Sequence, residues 1–191
     1  MPASNVQTFR AMAYNNAWAN RRLLTACAAL TPEEFAATRT SFFPSLAATL
    51  NHILVIDWFY VDALEGGDLG PKAWANEIPH PLLADLKREQ AAVDRRLIAI
   101  CEALTDEALD GEVRVNRVTR WQVERRDRLL MHLFQHQVHH RGQAHAMLAG
   151  TAVKPPQLDE FFSIGEAPLR ADEFAALGFS EEMVWGPEGV R

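Results

Sequence analysis

Five of the seven histidines fall between positions 132 and 145: His132, His136, His139, His140 and His145. Imidazole is the commonest metal ligand among side chains, so which of the five share a face decides what they can do. At 100° per residue in an α-helix, His136 and His140 lie about 40° apart and straddle a stripe made by Leu129, Leu133 and Met147. His132 and His139 fall at the edge of that stripe, and His145 points away from it. Two imidazoles at i and i+4 on one helix face can chelate one divalent ion, as in helical zinc sites. Burying them side by side without a partner is costly, and an ion removes that cost. His52 lies in a separate apolar segment, with Thr49, Ile56, Phe59 and Ala63 on its side of a helix. Taken singly, His52 reads better as a cap on a buried carbonyl. Three core-facing histidines on two helices favour a metal, held so that one or more positions stay open to water or substrate.

The elements that must bring these residues together can be read from periodicity and punctuation. Residues 5–30 carry Phe9, Ala13, Asn16, Ala17, Asn20, Leu23, Leu24 and Cys27 at helical spacing. Thr31-Pro32-Glu33-Glu34 restarts a short turn of helix. A second long helix over 45–64 follows Pro44, with Ser45 as N-cap and Glu65-Gly66-Gly67 as its stop. A third over about 81–104 has Leu82, Leu86, Val93, Leu97, Ile100 and Leu104 on one stripe, with Lys87, Arg88, Glu89, Asp94 and Arg95 towards water. Between Gly111 and Arg126 the period changes to that of two short strands with a turn near 116–119. The last long helix covers about 127–149 and stops at Gly150. The tail, 151–191, holds Phe161, Phe162, Phe174, Phe179 and Trp185 and is expected to fold back on the body. This is an all-α chain: a four-helix bundle with a small β-hairpin inserted before the last long helix, read as one domain over residues 1–191.

Composition narrows the function classes. The 191 residues are 48% apolar and 23% charged, with a net charge of −6. That excess of acid argues against a general nucleic-acid binder, whose affinity rests on a basic surface. The basic cluster of Arg114, Arg117, Arg120, Arg125, Arg126 and Arg128 reads as a solvated hairpin face. No apolar run is long enough for a membrane helix, and MPASNVQTFR lacks the apolar region of a signal peptide. Cys27 and Cys101, far apart and outside any CxxC pattern, read as reduced core thiols of a cytoplasmic protein. Being buried, they are not obvious nucleophiles.

Asn51-His52-Ile53 and the run His136-Gln137-Val138-His139-His140-Arg141-Gly142-Gln143 resemble the DinB-like (damage-inducible, YfiT-related) four-helix bundle family. Tyr14-Asn15-Asn16-Ala17-Trp18-Ala19-Asn20 and Pro156-Gln157-Leu158-Asp159-Glu160-Phe161-Phe162 look like it too, so the resemblance covers nearly the whole chain. It implies a divalent metal held by His52, His136 and His140. Some relatives are thiol-dependent transferases or isomerases that use mycothiol, bacillithiol or glutathione. The resemblance also implies a homodimer.

Around the triad, Gln143 shares the histidine face and is placed to bond a ligating imidazole. Asn16 and Asn20, an i, i+4 pair, are candidates either to orient a substrate or to satisfy backbone groups, the latter being favoured. Asp57, about 140° from His52 by helical geometry, is placed beyond ligation. Asp159 is a candidate acid/base or supporting group. Arg141 projects off the metal face and suits a carboxylate partner, while Gly142 permits a close helix approach. The expected function is a metal-dependent enzyme, a thiol-dependent transferase or isomerase or a hydrolase, acting on a small molecule without nucleic-acid or membrane partners. Zinc is the default ion; nickel, iron, manganese and copper also suit such donors. The alternative is a non-catalytic metal-binding stress-response or structural protein, its site closed by His132, His139 or Asp159. A third reading is a metal-free bundle whose histidines bond one another.

Overall fold

The computed structural model describes residues 5–187. The ends of the chain, including the last four positions of the expected tail, lie outside the described residues. In chain order the helices are α1 (Asn5–Cys27), α2 (Pro32–Ala36), α3 (Leu46–Leu64), α4 (Leu83–Glu102), α5 (Asp106–Asp110), α6 (Arg126–Ala149), α7 (Ala171–Leu177) and α8 (Glu181–Trp185). Strands β1 (Glu112–Arg117) and β2 (Arg120–Arg125) sit between α5 and α6, and short 3-10 turns cover Gly70–Trp74 and Ile164–Arg170.

The four long helices close a ring in the order α1, α4, α3, α6. Helices α1 and α3, like α4 and α6, therefore stand diagonally, and each pair needs a crossing connection. The second crossing contains the hairpin. Its strands pair antiparallel, Glu112 opposite Arg125 and Arg117 opposite Arg120, and Val113 and Val115 turn inward against α3. This is the all-α bundle with a hairpin expected from the sequence.

Helix α3, which carries His52, is fixed at both ends. Ser45 Oγ accepts from Ala48 N at 3.1 Å, closing the first turn. At the other end Gly66, with φ +84°, takes the left-handed turn that side chains disfavour. Most of its circumference is buried, so its rotation is set by packing.

The tail folds back as expected. Phe161 and Phe174 are buried, with Phe161 against Trp18 and Phe179 edge-on to Tyr14. Arg170 clasps this segment through Glu181 and the carbonyl of Phe161.

Two expectations are corrected. Asp94, read as facing water, is buried, because α4 meets both α1 and α3 and its apolar stripe is wider than its leucines indicate. The basic cluster is only partly solvated. Arg117 stacks on Phe59 and donates to the Tyr60 hydroxyl, and Arg126 donates to the carbonyls of Leu64 and Ala108.

Candidate metal centre

His52 from α3 meets His136 and His140 from α6, and one ring nitrogen of each lies within 4.8 Å of the others. Nε2 of His52 is 3.0 Å from Nε2 of His136. Neighbouring ligands on a tetrahedral zinc, each about 2.0–2.1 Å from the ion, stand roughly 3.3 Å apart. The His52–His136 pair therefore needs only a small adjustment to share one ion, and His140 stands within 4.8 Å of both. No carboxylate or thiol joins this group among the described residues, so an ion held here would keep its full charge.

The rings are poised as ligands in charge as well as position. Burial, reinforced by repulsion from His140, pushes the pKa of His52 down to about 4. Burial and then the neighbouring histidines push His136 to about 3. His140 is lowered by burial, with Gln143 opposing that shift. All three are neutral at pH 7 and offer lone pairs.

Gln143 does bond an imidazole of the triad. Nδ1 of His140 donates to its Oε1 at 2.9 Å, which leaves Nε2 of His140 unprotonated. The other end of the Gln143 amide donates to Nε2 of His139 at 3.1 Å. His136 has no such support from behind: its Nδ1 is buried and unpartnered, and its one hydrogen-bond contact is Nε2 against Nε2 of His52. His132 lies edge-on to Tyr60, outside the donor group.

Two residues that the sequence reading did not single out line the centre. Phe43 lies 4.2 Å from the His52 ring and 5.5 Å from that of His140. Phe42 is 79% exposed, its ring 6.4 Å from His140. The available signal was their position just before the Pro44-Ser45 start of α3, two helical turns from His52. Asn51, fully buried, accepts from His80 N and donates to the carbonyls of His80 and Ala47, tying the loop before α4 to the helix that carries His52.

Asn16 and Asn20 stand elsewhere. Both donate to Asp94 and accept from Nη1 of Arg141. Gln90 joins Asp94 to Asp57, and Gln137 donates to Asp57 from the other side. Burial and the nearby Asp94 hold the Asp57 carboxyl well above its usual range, while burial brings Asp94 to about 6 and Arg141 down to about 10. This chain of buried polar groups crosses the bundle and links α1, α3, α4 and α6. Asp159 accepts from Gln157 and lines a cleft with Gly142 and His145. Gly142 does not serve a close approach, since an added Cβ would meet nothing within 4 Å.

The profile of the DinB family matches residues 1–170. The chain belongs to the DinB family. This agrees with the resemblance carried by Asn51-His52-Ile53 and by the run from His136 to Gln143, and both segments lie within the matched residues. No curated protein matches the chain. Among the described residues, no helix of this DinB-family protein is long and apolar enough to cross a membrane.

Proposed function

We propose that this DinB-family protein is a divalent-metal enzyme that activates a water or a small thiol for attack on a small-molecule substrate. The observation that carries this reading is the convergence of three neutral imidazoles with no anionic donor among them. Zinc is the ion the donor set favours, with nickel, iron and manganese as compatible occupants. When bound, such an ion supplies Lewis acidity and brings a coordinated water or thiol towards ionisation at neutral pH.

The chain's own residues supply the rest. Gln143 holds His140 in one tautomer. His52 and His136 are only partly buried, so a small molecule reaches the centre past Phe42 and Phe43. Burial pushes both Cys27 and Cys101 up to about 12, so neither offers a thiolate. In a transferase or isomerase the thiol therefore comes from solution; in a hydrolase, water takes its place. This reading takes the chain as one bundle domain, cytoplasmic, and homodimeric in line with the family resemblance.

The test is X-ray absorption of the zinc-loaded protein, together with thiol-conjugation and ester-hydrolysis assays on wild type and His136→Ala. Three imidazoles plus a light-atom solvent ligand, with turnover lost in the variant, is the expected result. A fourth protein ligand and no turnover would favour the non-catalytic binding protein.

A further inference from the structure

An open cleft of about 1140 Å³ lies between α1, α6 and the segment 154–162. None of the three centre histidines lines it. Gly142 and His145, which do, are roughly 140–160° around α6 from His140. The cleft is therefore on the far side of the helix from the metal centre. Gly142 keeps its floor open.

Two polar side chains at that floor have atoms without a hydrogen-bond partner. Asn15 is 8% exposed and its Oδ1 is buried without a hydrogen bond. Arg141 is 6% exposed, and only its Nη1 is bonded, to Asn16 and Asn20. Nε and Nη2 of Arg141 have no hydrogen-bond partner among the described residues and are not among the sealed-off buried atoms. A guanidinium edge is thus left towards the cleft, held rigid from behind by the polar network. Of the acids in the lining, Glu173 is paired with Arg22 and accepts from Trp18, while Asp159 accepts only from the neutral Gln157 and keeps its charge. At the rim, Arg21 and Lys154 form no ion pair among the described residues.

A fixed guanidinium edge matches the two oxygens of a carboxylate or phosphate, and partial burial strengthens that bond. We infer that this cleft is a second ligand site, for a small molecule bearing a carboxylate or phosphate. Its oxyanion rests on the free edge of Arg141, Lys154 and Arg21 draw it in from the rim, and Asn15 Oδ1, an acceptor, suits a donor elsewhere on the ligand. The site is independent of the metal reading.

Calorimetric titration of the full-length, metal-loaded protein with sodium succinate and with sodium phosphate, against sodium chloride at matched ionic strength, tests it. Two variants probe the cleft: Gly142→Leu fills it from an open helix position, and Lys154→Glu reverses an exposed rim charge. Saturable binding of succinate or phosphate at one per chain is expected, weakened roughly tenfold or more by each variant. The probe that binds distinguishes carboxylate from phosphate. Binding by His136→Ala should equal that of wild type. The inference is overturned if neither probe binds saturably up to about 10 mM. It is equally overturned if Lys154→Glu, which is exposed and should fold normally, binds like wild type, or if His136→Ala abolishes the binding.

Discussion

Nε2 of His52 stands 3.0 Å from Nε2 of His136, across 84 positions of sequence. At this separation a neutral pair shares one N–H, one Nε2 donating to the other, or both direct their lone pairs at a shared cation. Burial disfavours an extra proton and a charged ring, so both imidazoles stay neutral at pH 7 and their lone pairs remain available to an ion. A divalent ion brings the charge with its own coordination bonds, and His140 completes the set.

Gln143 is the only side chain found bonding a ring of the triad from behind, among the described residues. Gln143→Leu should weaken metal affinity by about 10–100-fold, as loss of such a partner typically does. Competition with a chelating dye measures it. Gln143→Glu keeps an acceptor for Nδ1 of His140 and should restore most of the affinity. An unchanged affinity in the leucine variant would remove Gln143 from the centre.

The start of α3 sets the height of His52 in the bundle. Ser45→Ala removes an N-cap bond and should cost about 1 kcal/mol. In a chain of this size that lowers Tm by roughly 2–4 °C, readable by circular dichroism. Metal content per folded chain should not change. A much larger fall would mean that the cap also holds the Phe42-Phe43 segment in place.

How far the site was legible from sequence follows from these cases. His52, His136 and His140 could be found because local helical periodicity fixes which way each points, and each points along an apolar stripe. Gln143 followed from the same arithmetic. Asn16 and Asn20 lie on the bundle-facing side of α1, but their partners, Asp94 and Arg141, come from two other helices. Periodicity within one helix cannot supply that pairing. Asp94 is buried for a related reason: beside Arg95 its charge suggests solvent, but α1 covers it. Phe42 and Phe43 lie in a connection without periodic signal, so their packing against imidazoles depends on the tertiary fold alone.

The buried network predicts a pH dependence with a definite sign. The Asp57 carboxyl is held well above its usual range, first by burial and then by Asp94. The folded state thus binds a proton that the unfolded chain has released above about pH 4. Its contribution to stability is complete below that pH and is lost as pH rises towards the folded pKa. Asp57→Asn lacks this loss. Its stability relative to wild type should rise between pH 4.5 and pH 8, by at most about 1.4 kcal/mol per pH unit. Urea midpoints of both proteins after metal removal provide the comparison. A constant difference across that range would show that Asp57 is ionised throughout.

The central claim is that three histidines from two helices hold one divalent ion. Metal per chain, measured by mass spectrometry on tag-free protein purified without added metal, tests it most directly, with His136→Ala prepared alongside. The account predicts close to one divalent ion per wild-type chain and its loss in the variant, with the helical content unchanged. No metal in either protein, even after reconstitution, or equal metal in both, would contradict it.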